Sequence, residues 1–160
     1  IRAFTRLRET KPKLQLVLAG QKNFFYERLE HETREKRIKV PEEVNFTGFI
    51  DDRDLPRLYR HASLYVFPSL SEGFGLPPLE ATSFTLPVAS SNASCLPEIL
   101  GPGAIYFNPR DPDDMARAMA EGLDNKILRR MILNAGKLQM QKYDWQKTAK
   151  ETLEVYNKNI

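Results

Sequence analysis

Cysteine is nearly absent from this chain of 160 residues. The one cysteine, Cys95, has no partner for an internal disulfide, so the sequence excludes a disulfide-stapled extracellular scaffold and favours a reducing setting. Long apolar runs are missing too, because no segment approaches the length that crosses a bilayer, and no signal peptide is recognisable. We therefore expect a cytoplasmic protein, and leave open peripheral contact with the inner face of a membrane.

Histidine and acidic clusters are scarce as well. The two histidines, His31 and His61, do not stand at metal-ligand spacing from other ligand side chains, so we expect no metal and no cofactor. No Gly-x-Gly-x-x-Gly run follows the first apolar strand, which argues against a dinucleotide-binding dehydrogenase. The formal net charge is only +3, which predicts no nucleic-acid partner but suits an anionic ligand or an acidic membrane surface.

What the chain does contain is an alternation of short apolar runs and amphipathic helical patterns. With 41% hydrophobic residues it can bury one core, and the alternation predicts an α/β domain: a Rossmann-like parallel sheet with helices on both faces. The predicted strands are 14–20, 44–48, 62–67, 86–90 and 104–107. The predicted helices are 1–10, 24–37, about 51–60, one that ends near 84, one that begins at 112, 125–142 and 144–158.

Several local signals accompany these elements. Asp51 or Asp52 is expected to cap the third helix, and Asp111 the helix that begins at residue 112. Tyr143, Trp145 and Tyr156 are expected to form a packing stripe near the end of the chain. Helical spacing starts at the first residue, without a cap or an initiator methionine, so we interpret the chain as a piece of a longer protein.

The most informative segment is Glu72-Gly73-Phe74-Gly75-Leu76-Pro77-Pro78-Leu79-Glu80, called the glycine loop below. Its two glycines can take positive φ and let the backbone approach a ligand closely. The proline pair is expected to open a helix, whose first N–H groups attract anions, with Glu80 in its first turn. The segment therefore predicts a site for a ligand that carries negative charge and hydroxyl groups.

Several further segments, in a fixed order, accompany this loop. They are Val44-Asn45-Phe46-Thr47-Gly48-Phe49-Ile50, Leu58-Tyr59, Val66-Phe67-Pro68-Ser69, Pro87-Val88, Ser94-Cys95-Leu96-Pro97-Glu98 and Asn108-Pro109-Arg110-Asp111-Pro112. Over residues 14 to about 123 the chain resembles the C-terminal, donor-binding half of the retaining family 4 (group 1) glycosyltransferases of the GT-B fold. Separate motifs in the right order are more specific than a single loop.

The resemblance implies a single nucleotide-sugar-binding domain, residues 1–160, without the acceptor-binding N-terminal domain. The full enzyme would transfer a hexose from a UDP-, GDP- or ADP-sugar to an acceptor hydroxyl, as in bacterial polysaccharide or lipopolysaccharide synthesis. The acceptor, a glycan, a lipid-linked sugar or another alcohol, would be bound mainly by the missing domain. An Arg and a Lys that contact the diphosphate in the family would precede residue 1, and the fragment alone would be inactive. The alternative is a non-catalytic nucleotide-sugar-binding or scaffold domain.

The resemblance also implies roles for the two carboxylates. Glu72 would be the catalytic residue that orients the donor sugar and stabilises positive charge on the anomeric carbon. Its alternative is a loop carboxylate that faces water. Glu80 would bind the ribose diol, and its alternative is an acidic residue favoured by the helix dipole.

Backbone groups of the glycine loop and of two strand ends complete the implied donor site. Gly73, Phe74, Gly75 and Leu76 would present N–H groups to the diphosphate, unless the loop is an ordinary turn with Phe74 in the core. The strand end at Gly48, Phe49 and Ile50 would hold the nucleobase, with Phe49 either stacked on the base or packed in the core. Gly20 would lie on the nucleotide side, unless it is a strand-end turn.

Two positions depart from the family pattern. Phe84 and Thr85 stand where the family usually has small residues and a glycine, so the resemblance does not predict the local packing there. The segment from Ser94 to Glu98 is expected to act structurally near the donor, and Cys95 to be a small buried side chain rather than a nucleophile.

Overall fold

The computed structural model describes residues 1–36 and 38–158. In this part of the chain, helices and strands alternate as the sequence predicts. The strands are β1 (Leu16–Ala19), β2 (Val44–Gly48), β3 (Tyr65–Phe67), β4 (Val88–Ser91) and β5 (Ile105–Phe107). The helices are α1 (Arg2–Thr10), α2 (Phe24–Glu35), α3 (Leu55–His61), α4 (Leu76–Ser83), α5 (Leu96–Leu100), α6 (Pro112–Asp124), α7 (Lys126–Met140) and α8 (Trp145–Lys158).

The strands form two parallel sheets where the sequence predicted one. Strand β1 pairs with β2, and β4 lies between β3 and β5. The two sheets share a core, because Leu16 of β1 and Val66 of β3 pack against the same cluster, which includes Phe4, Val44 and Met119. The fold class is thus confirmed as α/β with parallel strands and covering helices, but the strands pair in two separate sheets rather than in one.

Strand β4 is the centre of the larger sheet, and all four of its residues are buried. A 3₁₀ turn at Gly101–Gly103 brings the chain from α5 to β5, against α7. Contact there is close, because a Cβ atom at Gly103 would lie 2.6 Å from the Cα atom of Gly136. Two glycines therefore let α7 pack closely against the turn that leads into β5.

The predicted caps have mixed outcomes. Asp111 caps α6 as expected, since its Oδ1 accepts hydrogen bonds from two backbone N–H groups of the first turn. Neither Asp51 nor Asp52 caps α3, which begins only at Leu55. The Asp51 carboxylate instead accepts bonds from the backbone N–H and the guanidinium of Arg53, so the aspartate closes a turn before the helix.

Some element boundaries also differ from the sequence prediction, and one helix was not predicted. Helix α2 ends at Glu35, and the predicted end at Arg37 lies outside the described residues. Strand β3 begins at Tyr65 rather than at Ala62. The short helix α5 was not predicted, because it has only five residues and its first three lie in the segment that was expected to be a loop.

The expected packing stripe near the end of the chain is wrong. Helix α8 has no buried residue, and the side chains of Trp145 and Tyr156 are 78% and 63% exposed. Tyr143 alone of the three is half-buried, with its hydroxyl donating to the carbonyl of Ile99 at 2.9 Å.

In the described part of the chain, no helix combines the length and the apolar character that crossing a bilayer would require.

Candidate functional site

The glycine loop follows β3 and runs into the first part of α4, at the carboxyl end of a parallel strand, where ligands of such sheets bind. Gly75 takes a left-handed conformation, with φ +94°, and immediately precedes α4. A Cβ atom at this position would lie 2.7 Å from Leu96 Cδ2, so both the backbone angle and the space require glycine. The loop is thereby packed against the start of α5.

Backbone N–H groups of the glycine loop point to no acceptor within the described residues: those of Gly73, Phe74, Gly75 and Leu76 form no hydrogen bond there. Pro77 and Pro78 follow in the first turn of α4 and carry no N–H group. Four adjacent N–H groups before a helix are a suitable arrangement for binding an oxyanion.

The carbonyl side of the same loop is occupied by two neighbouring side chains. Ser94 Oγ donates to the carbonyl oxygen of Glu72 at 2.9 Å and accepts a bond from the Glu72 N–H group at 3.3 Å. The Cys95 thiol lies 3.3 Å from the Glu72 carbonyl oxygen and 3.4 Å from that of Phe74. Ser94 and Cys95 thus hold the backbone of Glu72 on one side. The Cys95 side chain is half-buried, whereas the sequence predicted a buried one.

Glu80 lies farther into α4 than the sequence predicted. It is the fifth residue of the helix rather than a first-turn residue, which weakens the helix-dipole alternative, since that effect fades beyond the first turn. Its side chain is exposed, and its Oε2 accepts a hydrogen bond of 3.2 Å from the hydroxyl of Tyr59. Among the described residues no donor reaches its Oε1.

A buried tyrosine, Tyr59, and a half-buried one, Tyr65, lie beside the carboxylates. Burial, followed by the charge of Glu80, raises the pKa of Tyr59 to about 12, so this phenol remains protonated at neutral pH. The pKa of Tyr65 is also raised, first by burial, then by Tyr59 and by the charges of Glu80 and Glu72. The hydroxyl of Tyr59 therefore serves as a stable hydrogen-bond donor at this end of the site.

The strand ends of the smaller sheet form a second group. Gly20 N–H donates to the Gly48 carbonyl at 3.1 Å, and Gly48 N–H donates to the hydroxyl of Tyr26 at 2.8 Å. Both N–H groups are therefore already bonded within the protein. Phe49 is 69% exposed, so the core-packing alternative is wrong and its ring is free to stack on a planar ligand. Ile50 is half-buried.

The structure thus brings together some of the predicted residues and leaves others apart. Glu72 and the glycine-loop N–H groups form one group with Ser94 and Cys95, while Gly20 and Gly48 form another, and no hydrogen bond described here joins the two. Phe74 is neither core nor free, because it is 39% exposed and packs edge-on against Tyr143. No group of three or more metal-ligating side chains suited to an ion occurs in residues 1–36 and 38–158.

Sequence reasoning gave no role to Tyr26 or Tyr59. Tyr59 belonged to a matching motif, Leu58-Tyr59, but nothing in the sequence indicated that its hydroxyl meets Glu80 across 21 positions. Tyr26 lies in the first turn of α2, and its bond to Gly48 spans 22 positions. Both contacts arise from tertiary packing, for which helical periodicity is no guide.

Comparison with known proteins places this arrangement in a family. The sequence profile of the glycosyl transferases group 1 matches residues 1–139. The chain belongs to the group 1 glycosyltransferases. It is 32% identical over 152 residues to the O-antigen chain mannosyltransferase B of Escherichia coli, covering 92% of this chain and 38% of that protein. It is 33% identical over a 165-residue alignment to the MMP alpha-(1->4)-mannosyltransferase of Mycolicibacterium hassiacum, covering 100% and 39%.

Solved structures of other proteins share its fold. Sucrose-phosphate synthase from Thermosynechococcus elongatus superimposes with a TM-score of 0.83 at 25% identity, over 98% of this chain and 41% of that one. HepE of Anabaena, solved in complex with UDP and glucose, gives a TM-score of 0.83 at 21% identity, over 98% and 44%. The GT-B resemblance of the fold is thereby confirmed. The chain spans about two fifths of the length of each of the four proteins named above.

Proposed function

We propose that this chain is the donor-binding domain of a retaining glycosyltransferase, which transfers a hexose from a nucleoside diphosphate sugar to an acceptor hydroxyl. One observation carries the proposal: four unpaired N–H groups of the glycine loop, which follows the carboxyl end of β3, stand in the sequence between the carboxylates of Glu72 and Glu80. An oxyanion-binding backbone with carboxylates at both ends matches a ligand that has a diphosphate and sugar hydroxyls on either side of it.

Each part of the site has a role in this proposal. The N–H groups bind the diphosphate, whose negative charge grows as it departs, and fixed dipoles stabilise that charge without reorganising. Glu72 orients the sugar and stabilises the positive charge of the anomeric carbon. Glu80 binds the ribose diol, and Phe49 stacks on the base. No metal takes part in the proposed reaction.

Retention of configuration follows if leaving and attacking groups use the same face of a short-lived oxocarbenium-like species. In that case a diphosphate oxygen takes the proton from the acceptor hydroxyl as the new glycosidic bond forms. The acceptor is held mainly by polypeptide outside these 160 residues, which also supplies the cationic contacts to the diphosphate.

The relatives favour particular substrates. Two of them are mannosyltransferases, and one of these is named for O-antigen chains, so a mannosyl donor and a growing bacterial polysaccharide or lipid-linked glycan are the proposed substrates. HepE is solved with UDP and glucose, which supports a nucleotide-sugar donor without naming the base used here.

A thermal-shift screen tests the proposal on the longest native polypeptide that contains this chain. The ligands are UDP-, GDP- and ADP-linked mannose and glucose, with free mannose as control. A donor present at a hundredfold excess over its Kd should stabilise the fold by about 2.7 kcal/mol. Transfer by the stabilising donor, with a retained anomeric configuration in the NMR spectrum of the product, would support the enzyme. Donor binding without transfer would favour a non-catalytic binding domain, and stabilisation by none would contradict the donor site.

A further inference from the structure

Tyr59 joins α3 to the carboxylate that the proposed function assigns to ribose. Its side chain is only 7% exposed, and its hydroxyl donates to Glu80 Oε2 at 3.2 Å. Glu80 itself is exposed and projects from α4. A buried, fixed donor therefore contacts a carboxylate that would otherwise sample several rotamers.

The ring of Tyr59 is held by neighbouring aromatic rings. Phe84 stacks on it with ring centroids 5.4 Å apart and planes 23° apart. Tyr65 packs edge-on at 5.7 Å, and the guanidinium of Arg60 covers the ring of Phe84 at 5.4 Å. These contacts leave the Tyr59 ring little freedom to turn, so its hydroxyl is a fixed point beside α4.

We propose that Tyr59 is the positioning residue for Glu80: its hydroxyl binds Oε2 and turns the carboxylate so that Oε1 meets the ribose of the donor. This inference rests on the proposed function, because it concerns the same carboxylate. Phe84, which departs from the family pattern, supports the arrangement by stacking on the Tyr59 ring.

The proposal makes Tyr59 matter for recognition of ribose rather than for binding in general. A carboxylate that accepts bonds from two ribose hydroxyls should lose affinity when the 2′-hydroxyl is removed from the ligand. If Tyr59 sets the carboxylate angle, the loss of its hydroxyl should reduce the preference for ribose over 2′-deoxyribose. A tyrosine that only packs the core would weaken both ligands equally or neither.

The test uses calorimetry on the longest native polypeptide that contains this chain. The probes are UDP, GDP and ADP, and then the 2′-deoxy form of whichever binds most tightly. The variants are Tyr59→Phe, Glu80→Ala and the double variant. The matched control is Tyr106→Phe, which removes a hydroxyl that donates to the Gly101 carbonyl at 2.6 Å, outside the proposed site.

We expect Tyr59→Phe to weaken binding of the ribonucleotide about fivefold and to leave the 2′-deoxynucleotide within about twofold. In the Glu80→Ala background the same change should have no effect on the ribonucleotide, since there is no carboxylate left to position. Tyr106→Phe should change neither affinity. Should Tyr59→Phe fail to fold, Phe84→Leu is measured instead, with a smaller loss of the same selectivity expected.

Two failures are distinguishable. If Glu80→Ala leaves ribonucleotide affinity unchanged, the ribose assignment of the proposed function is wrong and the inference falls with it. If Glu80→Ala weakens binding but Tyr59→Phe does not, or weakens both nucleotides equally, Glu80 still binds ribose and Tyr59 is only a packing residue.

Discussion

At Ser94 the backbone takes a left-handed conformation, with φ +57°, that residues other than glycine adopt infrequently. The same residue exchanges two hydrogen bonds with the backbone of Glu72 through its hydroxyl. Strained residues of this kind persist where the surrounding contacts fix them, and they concentrate at functional sites. Ser94 thus ties a strained turn to the residue that we propose as catalytic.

Replacing Ser94 with glycine should separate its backbone role from its hydroxyl. Ser94→Gly accepts the positive φ but no longer holds the Glu72 backbone, so Glu72 should become less well oriented. We expect kcat to fall about tenfold, the effect of roughly one lost hydrogen bond in the transition state, with a smaller change in nucleotide affinity. Steady-state kinetics with nucleotide calorimetry measures both. An unchanged kcat in a folded variant would show that the hydrogen bonds between Ser94 and the Glu72 backbone do not contribute to catalysis.

The two carboxylates allow a matched comparison, because the same substitution can be made at each. Glu72→Gln should lower kcat more than it weakens binding of the bare nucleoside diphosphate, since its charge matters most when the anomeric carbon becomes positive. Glu80→Gln should show the opposite pattern, with nucleotide binding weakened about tenfold by loss of a charge-assisted bond. Calorimetry and initial rates on both variants test the pair. If kcat and nucleotide affinity fell by the same factor in both variants, the distinct roles assigned to the two carboxylates would be wrong.

The sequence predicted these two carboxylates but not the residues that hold them. The glycine loop is a contiguous segment, so its motif is visible in the sequence, and the backbone contact of Ser94 with Glu72 is not. The roles of Tyr59 and Tyr26 depend likewise on side chains that meet across more than 20 positions. Such contacts depend on how elements pack, which composition and periodicity do not determine.

Among the elements, the end of α4 shows how the chain departs from a common pattern. Leu86 N–H bonds to the Ala81 carbonyl and Thr85 N–H to the Thr82 carbonyl, which is the Schellman arrangement. Thr85 occupies its left-handed position with φ +60°, where glycine is usual and a β-branched residue is strained. The sequence singled out Thr85 as a departure from the family pattern. The positive φ at this position explains why glycine is usual there.

Thr85→Gly should therefore stabilise the fold. Relief of the left-handed strain at threonine is worth about 1–2 kcal/mol, and the extra chain entropy of glycine removes about 0.5–1 kcal/mol of it. The net gain of about 0.5–1 kcal/mol should raise the Tm by about 2 °C. The control is Ser83→Gly at the last residue of α4, which should lower the Tm. A lower Tm for Thr85→Gly would show that the threonine side chain makes a contact that outweighs the strain.

Element boundaries were less predictable than element types. The apolar residues at 86–89 identified β4, and all four residues of this strand are buried, as is usual for a parallel strand covered on both faces. The start of α3 was misplaced because an aspartate before a helix can close a turn as readily as cap the helix, and Asp51 does the former. For α8 the amphipathic pattern predicted the helix correctly, but it carried no information on whether a partner covers its apolar side.

At the scale of the whole molecule, the two parallel sheets share one core without pairing to each other in the described residues. The alternation of strands and helices predicts parallel strands. The order of the strands depends on which strand pairs with which, and no local sequence signal specifies those pairs. The chain spans about two fifths of the length of the two mannosyltransferases named above.

We expect the 160 residues by themselves to fold, to bind donor weakly and to show no transferase activity. Folding should succeed because the helices that cover the buried strands are present. Binding should be weak because each missing charge-assisted contact to the diphosphate removes about 1.5–3 kcal/mol. Transfer should be undetectable, since donor and acceptor must be held together in a closed cleft that excludes water.

The measurement compares this chain with the longest native polypeptide that contains it, at equal concentration and with the same donor and acceptor. Circular dichroism and thermal unfolding check the fold, calorimetry gives the donor Kd, and NMR follows the glycosidic product. The longer polypeptide should bind the donor at least about tenfold more tightly, which is the effect of one such contact, and should form product. Measurable transfer by the 160 residues alone would mean that the acceptor site lies within this domain, and an inverted product from the longer polypeptide would contradict the retaining mechanism.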